Sequence, residues 1–178
     1  MFRSKDDQFN AVKNFHAKMD GMTQECPKAY DAKTALHRAD FKLEELVEFL
    51  YATSRNNEEF ADLLQELHQA LDRAAAKSKK KVRPRSLLLG QVDALLDLLY
   101  FTYGSFALMG VDPQPIFDIV HRANMGKIFP DGRAHFDPVT HKILKPDHWE
   151  EDYAPEPAIQ EELDRQVKAC QKSEVNGD

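Results

Sequence analysis

Apolar residues recur every three or four positions along most of the chain, the spacing of one face of an α-helix. In DDQFNAVKNFHAKMD, residues 6–20, Phe9, Val12, Phe15 and Met19 fall on such a face. GMTQECPKAYD follows with no period and reads as a loop. Helical spacing resumes over 33–54 and again over 57–77. In the second of these, Phe60, Leu63, Leu64, Leu67 and Leu71 line one side, and Asn57 is the expected N-cap. The basic run KSKKKVRPR reads as a solvated linker. Residues 85–110 form the most apolar helix, with Gly110 as its C-terminal cap. Residues 113–125 form another, with Pro113 near its start. Beyond Gly126 the period is lost. KIFPDGRAHFDPVTHKILKP carries a DG turn signal and reads as a short hairpin or an ordered loop. A polar helix over 156–172 and a frayed tail complete the chain. The expected fold is all-α: a single domain over 1–178 with a four-helix-bundle-type core at about 6–146. An extra inserted helix and a C-terminal loop and helix appendage, 147–178, add to it.

Composition narrows the functional classes. The 178 residues are 42% hydrophobic and 30% charged, a balance suited to a soluble globular domain with a core. A net charge of −6 supplies no basic field for a nucleic-acid backbone, so no polynucleotide partner is expected. Cys26 and Cys170 belong to no CxxC or Cys/His cluster, which argues against a structural zinc site. MFRSKDDQFNAV lacks the apolar centre of a signal peptide, and the longest apolar run, around 94–110, is interrupted by Asp97 and Gly104. No membrane association and a cytoplasmic location are the expectations.

Two acidic groups change the picture. LEELVEFL, residues 43–50, places Glu44, Glu45 and Glu48 in an otherwise apolar helix. Glu45 and Glu48 are about 60° apart around the axis, and Glu44 and Glu48 about 40°. On its own this is the pattern of a solvated stripe. The second group, Asp93 and Asp97 in QVDALLDLLYFTYG, is about 40° apart on a helix with almost no polar face. Aspartates on such a face repel each other unless a cation lies between them. Together the two groups favour a site of hard oxygen ligands for Mg²⁺, with Mn²⁺ as a substitute. A di-iron bundle would need Glu-x-x-His on two helices, and no ExxH occurs.

A cationic group follows the aspartate helix. In VHRANMGK, His121, Arg122, Asn124 and Lys127 gather at a helix end, where Arg and Lys match phosphate oxygens and Asn can donate a hydrogen bond. Ordinary C-terminal capping by basic residues explains the same pattern. Lys142 and Lys145, in HKILKP, are further cation candidates, and exposure alone accounts for them equally well.

EELVE, then DALLDLLYFTYG, then VHRANMGK with a downstream DG and KILKP, resembles the MazG-like all-α nucleoside triphosphate pyrophosphohydrolases, in the branch similar to phosphoribosyl-ATP pyrophosphohydrolases. The likeness covers roughly 33–53 and 88–146. EExxE is weak alone, whereas the ordered set with NMGK is fairly specific. The resemblance implies a helical bundle, a homodimer or dimer of dimers, and Mg²⁺-dependent cleavage of a nucleoside triphosphate to monophosphate and pyrophosphate. It places metal ligands on Glu45 and Glu48 and on a later acidic pair, a water-activating carboxylate on Glu44, and phosphate contacts on Asn124 and Lys127. In the mechanism so implied, Glu44 or Glu48 orients or deprotonates the attacking water, and Lys127, with Arg122 and Lys145, stabilises the departing pyrophosphate. Two departures stand out. The later pair is commonly ExxD, and alignment on Asp97 puts Ala94 in the Glu position, so Asp93 is read as the substitute. Residues 54–84 also lengthen the interval between the acidic helices, which bears on substrate choice more than on reaction type. The competing reading is a non-catalytic helical interaction module whose acidic face only solubilises it.

Overall fold

A computed structural model of the protein describes residues 5–21, 23–139 and 142–175. Seven helices occur among these residues: α1 (Asp7–Met19), α2 (Ala32–Thr53), α3 (Asn57–Lys79), α4 (Leu87–Met109), α5 (Pro113–Met125), α6 (Trp149–Tyr153) and α7 (Glu156–Val175). The all-α expectation holds. An isolated antiparallel bridge between Phe136 and Ile143 is the extent of strand pairing among the described residues. Residues 140–141 of that loop and the end of the expected tail, 176–178, lie outside them.

The helix boundaries follow from local chemistry. Free N–H groups at a helix start need acceptors. Asp6 supplies one to the Phe9 amide at 3.0 Å and Asp31 one to the Thr34 amide at 2.7 Å. The bonds from Thr34 also hold the Asp31 carboxyl below its ordinary range. Asn56, not Asn57, caps α3 by accepting from the Glu59 amide at 2.9 Å. The Glu59 carboxylate reaches back to the Arg55 backbone N–H at 2.7 Å and to its guanidinium, so the helix begins one residue earlier than the expected cap would allow. At the end of α4 the Val111 amide donates to the Phe106 carbonyl at 3.0 Å and the Gly110 amide to that of Ala107 at 3.2 Å. Gly110, at φ +71°, takes the left-handed conformation that this double closure requires. Asp112 then caps α5 through the Gln114 amide, with Pro113 at the first helical position.

The chain divides into two compact units, residues 27–96 and residues 1–26 with 97–178. In the 27–96 unit, α2 packs on α3, and Tyr51 and Phe60 meet edge to face at 5.2 Å. The Gln91 side chain bonds both backbone groups of Tyr30, at 2.9 and 3.0 Å, and so pins the segment before α2 to the start of α4. In the other unit, α5 packs against α1 and α7. Gln8 and Gln114 join side chains at 3.0 Å, and the Tyr103 hydroxyl bonds Gln8. Gln166 on α7 clamps both backbone groups of Asp112, at 2.9 and 3.0 Å.

Burial is sparse. Among the described residues Met19, Ala123 and Trp149 are the buried ones, and all three belong to the unit of residues 1–26 and 97–178. Leu89, Leu95, Leu96, Leu98 and Leu99 on α4 are exposed, as are Leu43, Leu46 and Phe49 on α2. By length and composition α4 is also apolar enough to cross a membrane, contrary to the sequence expectation, because the helix runs unbroken through Asp97 and Gly104.

Candidate active site

The acidic residues stand on α2 and α4. Glu44, Glu45 and Glu48 share an arc of about 100° on α2, away from the apolar line of Leu36, Leu43 and Leu50. All three are exposed, as are Asp93 and Asp97 on α4. Glu44, Glu45, Glu48 and Asp93 belong to the 27–96 unit, and Asp97 is the first residue of α4 in the other. Among the described residues no three His, Cys, Asp or Glu side chains are grouped closely enough to hold a metal ion. The donor set fits a hard divalent cation in kind, because every member is a carboxylate. Glu45, Glu48, Asp93 and Asp97 also engage no hydrogen-bond donor or cation among the described residues. One turn earlier on α2, the Arg38 guanidinium lies 5.3 Å from the Phe41 ring centroid, and the Lys42 ammonium donates to the Arg38 carbonyl at 2.9 Å. Partial burial, and then the Arg38 charge, push the Lys42 pKa down.

The cationic residues are drawn together more tightly, all within one unit. Asn124, in the last turn of α5, accepts from the Lys127 ammonium at 2.8 Å through Oδ1. The Trp149 indole N–H donates to the Ala123 carbonyl at 3.0 Å and ties α6 to that same turn. Over the indole ring lie two ammonium groups, Lys145 at 3.9 Å from the centroid and Lys127 at 5.8 Å. The Lys145 ammonium also meets the Glu150 carboxylate at 2.5 Å. Gly126 makes room for this docking: a Cβ there would stand 2.4 Å from the Tyr153 ring, so a side chain at 126 would displace α6. Between α5 and α6 the loop is tied by a turn from Phe129 to Gly132, by stacking of Phe129 on His135 at 4.1 Å, and by the His135–Asp131 pair at 2.8 Å.

Of the phosphate candidates, Asn124, Lys127 and Lys145 are therefore assembled around Trp149. Arg122 is exposed and makes no side-chain hydrogen bond or ion pair among the described residues. The structure adds Trp149, Glu150 and Gly126 to the cluster, none of which sequence reasoning placed in the site. The signal for Glu150 was slight, a charge five positions beyond Lys145 across Pro146. No periodicity relates those two, because His148 turns the chain through a positive φ of 63° before α6 begins.

The fold and its likeness to known proteins define the class as an all-α pyrophosphohydrolase of the MazG-like superfamily, a hydrolase. Residues 12–124 match the phosphoribosyl-ATP pyrophosphohydrolase family, and the chain belongs to that family. Its fold is similar to the crystal structure of a protein from Exiguobacterium sp. 255-15, described provisionally as an NTP pyrophosphohydrolase. The two superpose with a TM-score of 0.84 at 38% identity, over 93% of this chain and 99% of the other. No curated protein sequence matches the chain.

Proposed function

We propose that the protein hydrolyses a nucleoside triphosphate to the monophosphate and pyrophosphate in a Mg²⁺-dependent reaction, with Mn²⁺ able to substitute. The observation that carries the reading is the state of Asp93 and Asp97. Two carboxylates one helical turn apart, on the most apolar helix, have no partner among the described residues. Glu45, Glu48, Asp93 and Asp97 would hold the cation. When bound, the cation neutralises phosphate charge and orients the triphosphate. Glu44 or Glu48 orients the attacking water and takes its proton. The water oxygen bonds to the α-phosphorus, the bond from that phosphorus to the bridging oxygen breaks, and pyrophosphate leaves. Asn124, Lys127, Lys145 and Arg122 receive the negative charge that the leaving group carries.

The same reading includes a homo-oligomer, a dimer or a dimer of dimers. Its support is the exposed apolar surface of α4, where covering each leucine is worth roughly 1.5–3 kcal/mol. A bilayer would cover that surface as well, but each aspartate at a helix centre costs about 2.5–3.5 kcal/mol there. A second copy of the chain, able to leave the carboxylates wet, is the better cover. A cytoplasmic location accords with that choice.

A turnover screen tests the reaction. Canonical and damaged nucleoside triphosphates are incubated with Mg²⁺, Mn²⁺ or EDTA, and the phosphate products are separated chromatographically. Monophosphate plus pyrophosphate, lost in EDTA, is the expected result. No turnover, together with no change in melting temperature on adding either metal, would overturn the reading in favour of an interaction module.

A further inference from the structure

We infer that Trp149 is a positioning residue for the polyphosphate. Its indole ring is the common floor on which Lys145 and Lys127 are held, and Glu150 is the counter-ion that a pyrophosphate group displaces. The inference rests on the reading of these lysines as phosphate ligands. Trp149 lies beyond the segment, residues 12–124, that matches the family, and its assignment comes from geometry.

Three observations lead to it. The ring is fixed: Trp149 is 6% exposed, and its N–H is spent on the Ala123 carbonyl, in the turn of α5 that also presents Asn124. Both ammonium groups lie within 6 Å of the one ring centroid, the range in which a ring quadrupole attracts a cation. Two cations gathered at one ring repel each other, and an anion with several charges relieves that repulsion. Neither is unattended in the meantime, since the Lys127 ammonium donates to the Asn124 side-chain amide oxygen and Lys145 pairs with Glu150. The Lys145–Glu150 pair is solvent-facing, with side chains 45% and 70% exposed, so it is weak and exchangeable. A diphosphate offers two groups of oxygens and matches two ammonium groups and an amide better than a single carboxylate does.

Trp149 is the sole tryptophan of the chain, which makes the test clean. The full-length protein is prepared with tryptophan carrying an increasing number of ring fluorines, which drains the ring quadrupole while preserving shape. Inorganic pyrophosphate is then titrated by calorimetry. Pyrophosphate affinity is expected to fall stepwise, by roughly fivefold across the series, at unchanged melting temperature. In the unfluorinated protein, Trp149 emission should change saturably with pyrophosphate, and Glu150→Gln should tighten binding about two- to fivefold. Affinity that stays flat along the series, or rises because the ring competes with the anion for the ammonium groups, would overturn the inference. Absence of pyrophosphate binding to the unsubstituted protein would do the same. Nucleotide turnover measured in parallel separates the two levels. Turnover with a flat series leaves the reaction standing and removes Trp149 from it. A graded series without turnover of any nucleotide keeps the anion clamp and removes the reaction.

Discussion

Residues 97–178, with 1–26, and residues 27–96 make their structure in different ways. The first unit buries Met19, Ala123 and Trp149 and ties its helices by polar bonds between side chains and backbone, Gln166 to Asp112 and Trp149 to Ala123. The second has no buried residue among those described. Its α2 and α3 span 22 and 23 residues, capped by Asp31 and Asn56, with Val47, Leu50, Leu63 and Leu64 half-covered and Leu43, Leu46 and Phe49 open. Capping and propensity set where a helix starts and stops, but most helical stability in a protein comes from covering the apolar face. The cationic cluster is thus completed inside one chain, whereas most of the carboxylates stand on helices whose apolar surface still awaits a cover.

The sharpest way to separate the two regions is to remove one carboxylate. Asp97→Asn, or Glu48→Gln in the 27–96 unit, should lower nucleoside triphosphate turnover by at least about 100-fold while leaving the far-ultraviolet helical signal unchanged. Full activity in both variants would refute the acidic assignment. The next effect concerns the cover. Leu89→Lys combined with Leu96→Lys places two charges on one exposed side of α4. The variant should sediment as a single chain, and its melting temperature should cease to depend on concentration. An unchanged oligomeric mass would show that this surface is not the interface. In the first unit, Gly126→Ala forces a Cβ against the Tyr153 ring and should cost about 1–3 kcal/mol. It should also red-shift Trp149 emission as α6 lifts away. A red shift without loss of stability would mean that the docking of α6 contributes little.

The smallest expected effect is the acid response of α7. A hydrogen bond from Arg165, and then one from Gln166, hold the Glu162 carboxyl down to about 2, against an ordinary 4.5. Because the folded pKa is the lower one, the stabilisation is full above pH 4.5 and is lost as pH falls towards 2. Glu162→Gln should remove this slope from an acid titration of helical content, and a titration identical to that of the unsubstituted protein would dismiss the pair as a contributor.

What the sequence determined by itself is the part of the structure governed by neighbours along the chain. Gly110 and Pro113 marked an end and a start because a left-handed closure and a preset φ are properties of single positions. The α3 cap was legible to within one residue, and the choice between two adjacent asparagines fell to the reach of Glu59 back to Arg55. The pairs Glu45 with Glu48 and Asp93 with Asp97 were legible because helical spacing alone puts each pair on one side of its helix. Only the tertiary structure decided that Lys127 and Lys145 share the Trp149 ring. That grouping depends on a bond from Trp149 to Ala123 across 26 residues, a positive φ at His148 and an empty Cβ position at Gly126. None of these leaves a period in the chain, since each is set by what a fold brings close rather than by what the sequence places next.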